Sequence, residues 1–364
     1  MTSISADPLP GQNEQAAKEP PTWRERLQAV TSSYTFKVIL QGLITIWAAS
    51  TFTFVLIRLL PGNPIEIKIQ QLMNQGYEYE QAYNTATGLY NFDPDRPILE
   101  QYLEYLVDLT RGDLGNSVTS PSTKVTDQIL RFLPWTLLSI GSALLISFSV
   151  GILLGMAMAY WRGSWFDNIM TGLGSMLSGV PDYVFAFIIV LLFGVQLEWF
   201  NVGEMRGGVS PNIDPGLTFE YIFDVIKHAL LPVITYVLAT VGVWMLSMKS
   251  STVSTLGEDY INVAKARGLS ESRVLTAYVG RNAMLPLVTR LAISIGFVLS
   301  GSVIVERFFE YPGLGRALIR SIEQRDYTVM QGIFLTITAG VILSNILADL
   351  MLNLLDPRVS LDDD

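Results

Sequence analysis

Six long apolar stretches constrain what this chain can fold into more than any motif does. They cover residues 37–60, 134–160, 181–200, 228–249, 286–308 and 329–355. A stretch of roughly 20 apolar residues is the length that a helix needs to cross the hydrocarbon core of a bilayer. Half of all residues are hydrophobic and only 16% are charged. The sequence therefore predicts an all-α integral membrane protein with six transmembrane helices.

Basic residues predict the orientation of these helices. With six spans both termini lie on the same side, and short cytoplasmic segments carry an excess of Lys and Arg. If the termini are cytoplasmic, the short inner segments hold about twelve basic residues and the short outer loops about six. We therefore expect cytoplasmic termini, with residues 1–35 forming a disordered segment because they are polar and rich in Pro, Gln and Glu. Residues 360–364 form an acidic tail.

Composition excludes several kinds of chemistry. The chain has no Cys and one His, so disulfides, thiol chemistry and multi-histidine metal sites are not expected. Its net charge of -9 argues against nucleic acid as a partner. No Gly-rich phosphate loop of the form G-x-x-x-x-G-K-[ST] occurs, so the chain should not hydrolyse ATP. The sequence predicts no catalytic residues, no metal and no cofactor.

The positions of the charged residues argue against an ion-driven carrier. Six of them lie within one or two turns of a predicted span end: Arg58, Asp182, Lys249, Arg290, Glu306 and Asp349. A secondary carrier is expected to have a carboxylate or a broken helix near the bilayer midplane. A stand-alone carrier or channel and an integral-membrane enzyme therefore remain as less favoured alternatives to a subunit driven by partners.

Small residues in two of the spans predict close helix packing. Gly151, Gly155 and Ala159 recur at four-residue spacing, and a similar group occurs later in the chain: Gly296, Ser300 and Gly301. Such stripes allow helix backbones to approach each other in lipid.

The polar stretch 257–289, which we call the elbow, is the longest interruption in the hydrophobic second half. Apolar residues recur there at helical steps: Tyr260, Ile261 and Ala264, then Val274, Leu275, Tyr278 and Val279. Between the two groups, Gly268 suits the position just after a helix, and Ser270 suits the cap of the next one. Six basic residues lie in or beside the elbow: Lys249, Lys265, Arg267, Arg273, Arg281 and Arg290. The pattern predicts two short helices joined at a hinge on a cytoplasmic membrane face.

Two polar regions lie outside the elbow. Residues 61–133, which we call the insertion, are too long for a simple connector and are predicted to fold over the outer mouth. Near the end of the chain, Leu314, Leu318 and Ile322 would share one face of a short helix, with Arg316 and Arg320 on another.

The elbow also carries a resemblance to a known family. Residues 259–270 read DYINVAKARGLS and residues 281–286 read RNAMLP. These segments resemble the cytoplasmic coupling loop of ABC importer permeases, and more narrowly that of the first permease subunit of the oligopeptide, dipeptide and nickel branch. The glycine and the Leu-Pro carry the match, whereas the general motif has Glu-Ala-Ala where this chain has Asn-Val-Ala at 262–264. Five other segments also resemble this branch: PGNP at 61–64, GDLGNS at 112–117, PGLG at 312–315, RDY at 325–327 and DPR at 356–358.

The resemblance covers about residues 36–359 and implies a permease domain in the cell membrane of a prokaryote. Its implied partners are a second homologous permease subunit, two ATP-binding cassette ATPase subunits and an extracytoplasmic solute-binding protein. The implied cargo is a peptide or a related solute, with an oligosaccharide or a metal chelate as alternatives. In the family the coupling loop, here 250–288, is gripped by an ATPase subunit. The residues expected to face the ATPase are Tyr260, Ala264, Arg267, Gly268 and Leu269; no substrate-binding residue is assigned.

Overall fold

A computed structural model describes residues 34–59, 64–90, 96–120, 122–298 and 303–355. Within these ranges the regular elements are all helices, which confirms the all-α prediction. Several predicted features lie outside the described residues: the disordered segment up to residue 33, the turn at 61–63, Ser300 with Gly301, the DPR sequence and the acidic tail.

The helices follow one another in this order: α1 (Tyr34–Leu59), α2 (Pro64–Asn74), α3 (Tyr79–Tyr90), α4 (Ile98–Thr110), α5 (Val125–Tyr160), α6 (Trp165–Gly179), α7 (Asp182–Gln196), α8 (Phe219–Leu256), α9 (Asp259–Ala266), α10 (Arg281–Val298), α11 (Val303–Phe308), α12 (Leu314–Glu323) and α13 (Tyr327–Leu355). A π-helical turn at Leu137–Gly141 interrupts α5 soon after Pro134.

Four helices in the described part are long and apolar enough to cross a membrane. They are Lys37–Val55 within α1, Val125–Tyr160, Phe219–Leu256 and Tyr327–Ile346. They coincide with four of the six predicted spans.

The predicted third span is part of a bent pair. Helices α6 and α7 pass the same test only together, and they are bent by 102° at their junction. Val180 is extended and Pro181 follows it, as expected because proline disfavours a helical residue before it. The predicted fifth span corresponds to α10 and α11, which flank residues outside the description. The count of six spans remains a prediction.

Close packing of α5 on α8 forms the centre of the bundle. A Cβ added to Gly155 would lie 2.6 Å from the Met248 Cβ and 2.9 Å from the Lys249 backbone nitrogen. Gly151 faces Trp244 in the same way one turn earlier. The predicted small-residue stripe is therefore confirmed as a helix-packing surface. Gly296 makes a similar approach to Ser344, which brings α10 against α13.

A buried ion pair joins α6 to α8. Lys249 Nζ lies 2.6 Å from Asp167 Oδ1, and both side chains are mostly shielded from solvent. Lys249 also donates to Thr171 Oγ1 at 2.8 Å, and the Gly163 backbone nitrogen donates to Asp167 at 3.0 Å. Lys249, predicted to lie near a span end, therefore pins the turn before α6 to the last part of α8.

A buried carboxylate organises the corner between α11 and α12. Glu306 is fully buried and accepts hydrogen bonds from Thr136 Oγ1 at 2.8 Å and from the backbone nitrogens of Gly315 and Arg316 at 2.8 and 3.2 Å. These nitrogens belong to the first turn of α12, where a helix leaves its N–H groups without intrahelical partners. A Cβ at Gly313 would collide with the carboxylate, which explains a glycine there in the PGLG sequence.

The apolar face predicted for α12 is buried at Leu314 and Leu318. These residues pack in one cluster with Val125, Ile129, Val329 and Ile333 from α5 and α13. Ile322, which was expected on the same face, is 44% exposed because it lies in the last turn of the helix.

A second buried carboxylate joins two sequences that are far apart in the chain. Asp326, just before α13, accepts hydrogen bonds from Ser117 Oγ, from the Val118 nitrogen at 3.0 Å and from Thr119 Oγ1 at 2.9 Å. It also accepts from the Val329 nitrogen at 3.2 Å in the first turn of α13. The GDLGNS and RDY sequences are therefore the two halves of one contact, which fixes the end of the insertion to α13.

Replacing Asp326 with Asn should destabilise this contact by about 2 kcal/mol, because an amide keeps one acceptor oxygen and turns its NH2 group toward donors. The thermal unfolding midpoint of the purified protein in detergent measures the loss. Asp113→Asn is the matched control, since Asp113 lies in the loop that carries Ser117 but accepts only one exposed hydrogen bond there, from the Gly115 nitrogen. Equal midpoints for the two variants would show that the contact contributes little.

Candidate functional site

The elbow leaves the end of α8 and returns to the bundle through α10. After Leu256 the chain turns at Gly257 into α9, and it turns again before the short helical segment Glu271–Arg273. A π-helical segment, Val274–Gly280, then leads into α10. The structure thus confirms two short helical segments joined at the predicted hinge.

Gly268 ends α9 in the left-handed conformation that the sequence predicted. Its φ is +76°, and its nitrogen donates to the Lys265 oxygen at 2.9 Å. The Leu269 nitrogen donates to the Ala264 oxygen at 3.4 Å. This pair of bonds defines a Schellman motif, in which glycine avoids the steric cost that a side chain has at positive φ.

Ser270 corrects one detail of the prediction. It occupies the cap position before Glu271, but its side chain makes no capping hydrogen bond. Instead its backbone oxygen accepts from the Val274 nitrogen at 2.9 Å, so backbone geometry rather than the hydroxyl starts this segment.

The elbow has a small hydrophobic core of its own. Four residues from both arms are buried in it: Ile261, Ala264, Val274 and Val279. Leu256 at the end of α8 and Leu269 at the hinge pack against this cluster. Because both arms share one core that reaches the end of α8, the elbow is expected to move as a unit rather than as a loose loop.

Hydrogen bonds connect the elbow to three helices of the bundle. Ser251 Oγ in α8 donates to the Ala283 oxygen in α10 at 2.7 Å. Asn282 Nδ2, also in α10, donates to the Tyr260 hydroxyl at 3.0 Å. The Tyr160 hydroxyl at the end of α5 lies 3.4 Å from Glu271 Oε2. A force on the elbow would therefore reach the ends of α5, α8 and α10.

One face of α9 is open to solvent. Tyr260 is 41% exposed and Val263 is 58% exposed, and Arg267 and Gly268 at the end of this face are exposed too. Residues 260, 263 and 267 share a helix face because they are separated by three and four positions. The result is an open surface with an aromatic, an aliphatic and a basic group.

The structure revises the set of residues predicted to face a partner. Tyr260, Arg267 and Gly268 are exposed, and Leu269 is half-buried against the elbow core. Ala264 is only 4% exposed, because it packs beside Val274, so it is corrected to a core residue of the elbow. Sequence reasoning missed Val263, although its spacing from Tyr260 and Arg267 was a usable signal.

The six basic residues near the elbow divide into two groups. Four lie on the elbow itself, and all four are exposed: Lys265, Arg267, Arg273 and Arg281. Arg290, on α10 beyond the elbow, is exposed as well. Lys249 is held by Asp167, and the Arg290 guanidinium lies 5.7 Å from the centre of the Trp244 ring. The first four side chains therefore belong to the elbow surface, while Lys249 and Arg290 contact residues of the helix bundle.

Known proteins match this chain over most of its length. The family model described as binding-protein-dependent transport system inner membrane component matches residues 151–361, which include the elbow. The di/tripeptide transport system permease protein DppB of Pseudomonas aeruginosa is 32% identical over 326 residues, covering 86% of this chain and 95% of that protein.

Two further relatives show the same extent of similarity. The dipeptide transport system permease protein DppB of Escherichia coli K12 is 33% identical over 323 residues, covering 84% of this chain and 92% of that protein. The glutathione transport system permease protein GsiC of Pectobacterium atrosepticum is 31% identical over 333 residues, covering 90% and 98%.

Apolar helices packed through small residues, with a structured elbow outside them, define a multi-pass subunit of a membrane transport system. The chain belongs to the family of binding-protein-dependent transport system inner membrane components, which are the permease subunits of ABC importers. The resemblance inferred from the elbow sequence is thereby confirmed.

Proposed function

We propose that this permease forms one half of the path by which an ATP-driven importer takes up peptides or a related solute. The names of the three relatives, which refer to dipeptides, tripeptides and glutathione, support this class of cargo. A second homologous permease completes the path, and a solute-binding protein delivers the cargo from outside. Two ATPase subunits hydrolyse the ATP, since the chain itself lacks a phosphate-binding loop.

The elbow is the contact for one ATPase subunit. The observation that carries this proposal is the open face of α9 on a small core that is joined by hydrogen bonds to three helices of the bundle. A rigid element with these connections can convert movement of a bound ATPase into movement of the helices. The contact residues are Tyr260, Val263, Arg267 and Gly268, with Leu269 supporting them from the elbow core.

This assignment fixes the orientation of the chain. Residues 250–288 and both termini lie in the cytoplasm, six spans cross the inner membrane, and the insertion at 61–133 lies outside. The excess of basic residues in the inner segments supports the same orientation.

Gly268→Trp tests the ATPase contact. No atom lies within 4 Å of a Cβ at this position, so a large side chain would point into open space, where it would obstruct a partner. The positive φ adds backbone strain, which the control below matches. We expect the amount of ATPase subunit that co-purifies with the permease to fall at least about tenfold, because losing an interface hot spot lowers affinity by that much or more. Arg267→Glu should act in the same direction.

Gly112→Trp is the matched control for this experiment. Gly112 also has a positive φ, at +73°, and no atom lies within 4 Å of its added Cβ, but it belongs to the insertion. Both variants therefore carry a similar backbone strain. The elbow assignment is contradicted if Gly268→Trp leaves the recovery of ATPase subunits unchanged, or if Gly112→Trp lowers it equally. Solute uptake by this chain alone in liposomes would also contradict it.

A further inference from the structure

Helix α4 in the insertion has two chemically different faces. Four large apolar residues are exposed along it, with exposed fractions between 46% and 68%: Ile98, Leu99, Leu103 and Val107. Three carboxylates follow the same spacing one residue later: Glu100, Glu104 and Asp108. No residue of α4 is buried in the chain, so this apolar face has no covering within the described part.

The position of α4 beside α1 shows where this face lies. The Tyr102 hydroxyl is 2.6 Å from Thr51 Oγ1. The Phe54 ring lies 5.3 Å from the Tyr102 ring and is stacked on Tyr105 at 5.5 Å. Thr51 and Phe54 belong to the candidate membrane span Lys37–Val55. Helix α4 therefore packs sideways against the last turns of a membrane span instead of standing above it.

We propose that α4 is an interfacial helix, with Leu99, Leu103 and Val107 inserted among the acyl chains of the leaflet beside α1. Its carboxylates then face water. An amphipathic helix with a strongly polar face lies in the plane of the membrane surface, because there its apolar face meets acyl chains while its polar face stays in water. The inference does not depend on which partners the elbow binds.

Lipid is the occupant that the surroundings of α4 support. On α1, next to the residues that hold α4, Phe52 is 67% exposed and Val55 is 47% exposed. These side chains belong to a membrane span, so hydrocarbon is the medium that meets them. The exposed leucines of α4 continue this surface, while Glu104 on another face pairs with Arg96 at 2.9 Å and is 60% exposed. A boundary between hydrocarbon and water satisfies both faces at once.

The absence of Cys from the sequence makes a direct test possible, because single cysteines can be introduced and labelled. Leu103→Cys and Glu104→Cys, adjacent positions on different faces, would carry a nitroxide in the complete transporter. The complex would be placed in nanodiscs of phosphatidylethanolamine and phosphatidylglycerol. Collision rates with oxygen, which concentrates in the bilayer, and with a water-soluble nickel chelate are then measured by electron paramagnetic resonance.

We expect the oxygen-to-nickel ratio at position 103 to be at least about fivefold higher than at position 104. Phe52→Cys provides the reference for a lipid-exposed site, and Leu99→Cys and Asp108→Cys should repeat the contrast between the two faces. All these side chains except that of Asp108 are more than half exposed, so folding should not be disturbed. Equal ratios at 103 and 104 would overturn the proposal, whether both are far below that at position 52, as in water, or both match it, as in lipid. Low collision rates with both reagents at position 103 would also overturn it, because a protein partner would then cover α4.

Discussion

Gly155→Leu should leave little folded protein in the membrane. At this position α5 approaches α8 so closely that a Cβ would lie 2.5 Å from the Met245 backbone oxygen and 2.6 Å from the Met248 Cβ. Backbone atoms cannot move aside without separating the two helices, and the helices share their packing along much of their length. Overpacking of this kind should cost on the order of 3 kcal/mol or more.

Gly172→Leu is the control for Gly155→Leu. Gly172 lies in α6, another helix of the bundle, and no atom lies within 4 Å of its added Cβ. Leucine there should be neutral or slightly stabilising, since glycine is a poor helix former. The measurement is the amount of monodisperse protein extracted from membranes, together with its thermal midpoint. Similar values for both variants would show that the α5–α8 contact is not the tight contact described above.

Glu306→Ala should be the most damaging change at a charged residue. It removes the acceptor for Thr136 Oγ1 and for the nitrogens of Gly315 and Arg316, which would then remain buried without a partner. It also leaves a cavity at the start of α12. Together these effects should lower the free energy of unfolding by about 3 kcal/mol or more.

Two further variants separate this effect from loss of charge alone. Glu323→Ala also removes a carboxylate, but its pair with Arg307 is exposed on both sides, so the loss should stay below about 1 kcal/mol. Gly313→Ala should damage the same site by adding an atom instead of removing the carboxylate, since its Cβ would collide with Glu306. If Glu306→Ala unfolds at the same temperature as Glu323→Ala, the carboxylate does not hold the α11–α12 corner.

Periodic features of this fold could be predicted from the sequence. Four spans, the small-residue stripe and the two arms of the elbow all depend on local spacing, and the structure has them where the spacing indicates. Gly268 was predictable because only a few residues suit a positive φ after a helix.

Contacts between distant residues were not predictable. Glu306 and Thr136 are 170 positions apart, and Asp326 and Ser117 are 209 positions apart. In the sequence Glu306 is recognisable only as a charge near a span end, and RDY and GDLGNS only as two separate segments that resemble the permease branch. Nothing in a single sequence indicates which buried carboxylate will meet which donors, because that depends on how the helices are arranged.

The elbow illustrates the same limit at short range. Helical spacing predicted that Tyr260 and Ala264 share a face of α9. It did not show which of these residues the second arm of the elbow would bury. The buried direction is set by Val274 and Val279, which return after the hinge and pack on Ile261 and Ala264. The exposed face of α9 is therefore formed by Tyr260, Val263 and Arg267.

A photo-crosslinking amino acid at position 263, in the complete transporter, tests the central claim most directly. The control position is Leu217, which is 99% exposed and precedes the 38-residue helix α8, whereas Val263 follows that helix. A helix of this length spans about 57 Å, so the proposed topology has the two positions on opposite sides of the membrane. The account predicts a crosslink to an ATPase subunit from position 263 and none from position 217. An ATPase crosslink from position 217, or none from position 263, would contradict it.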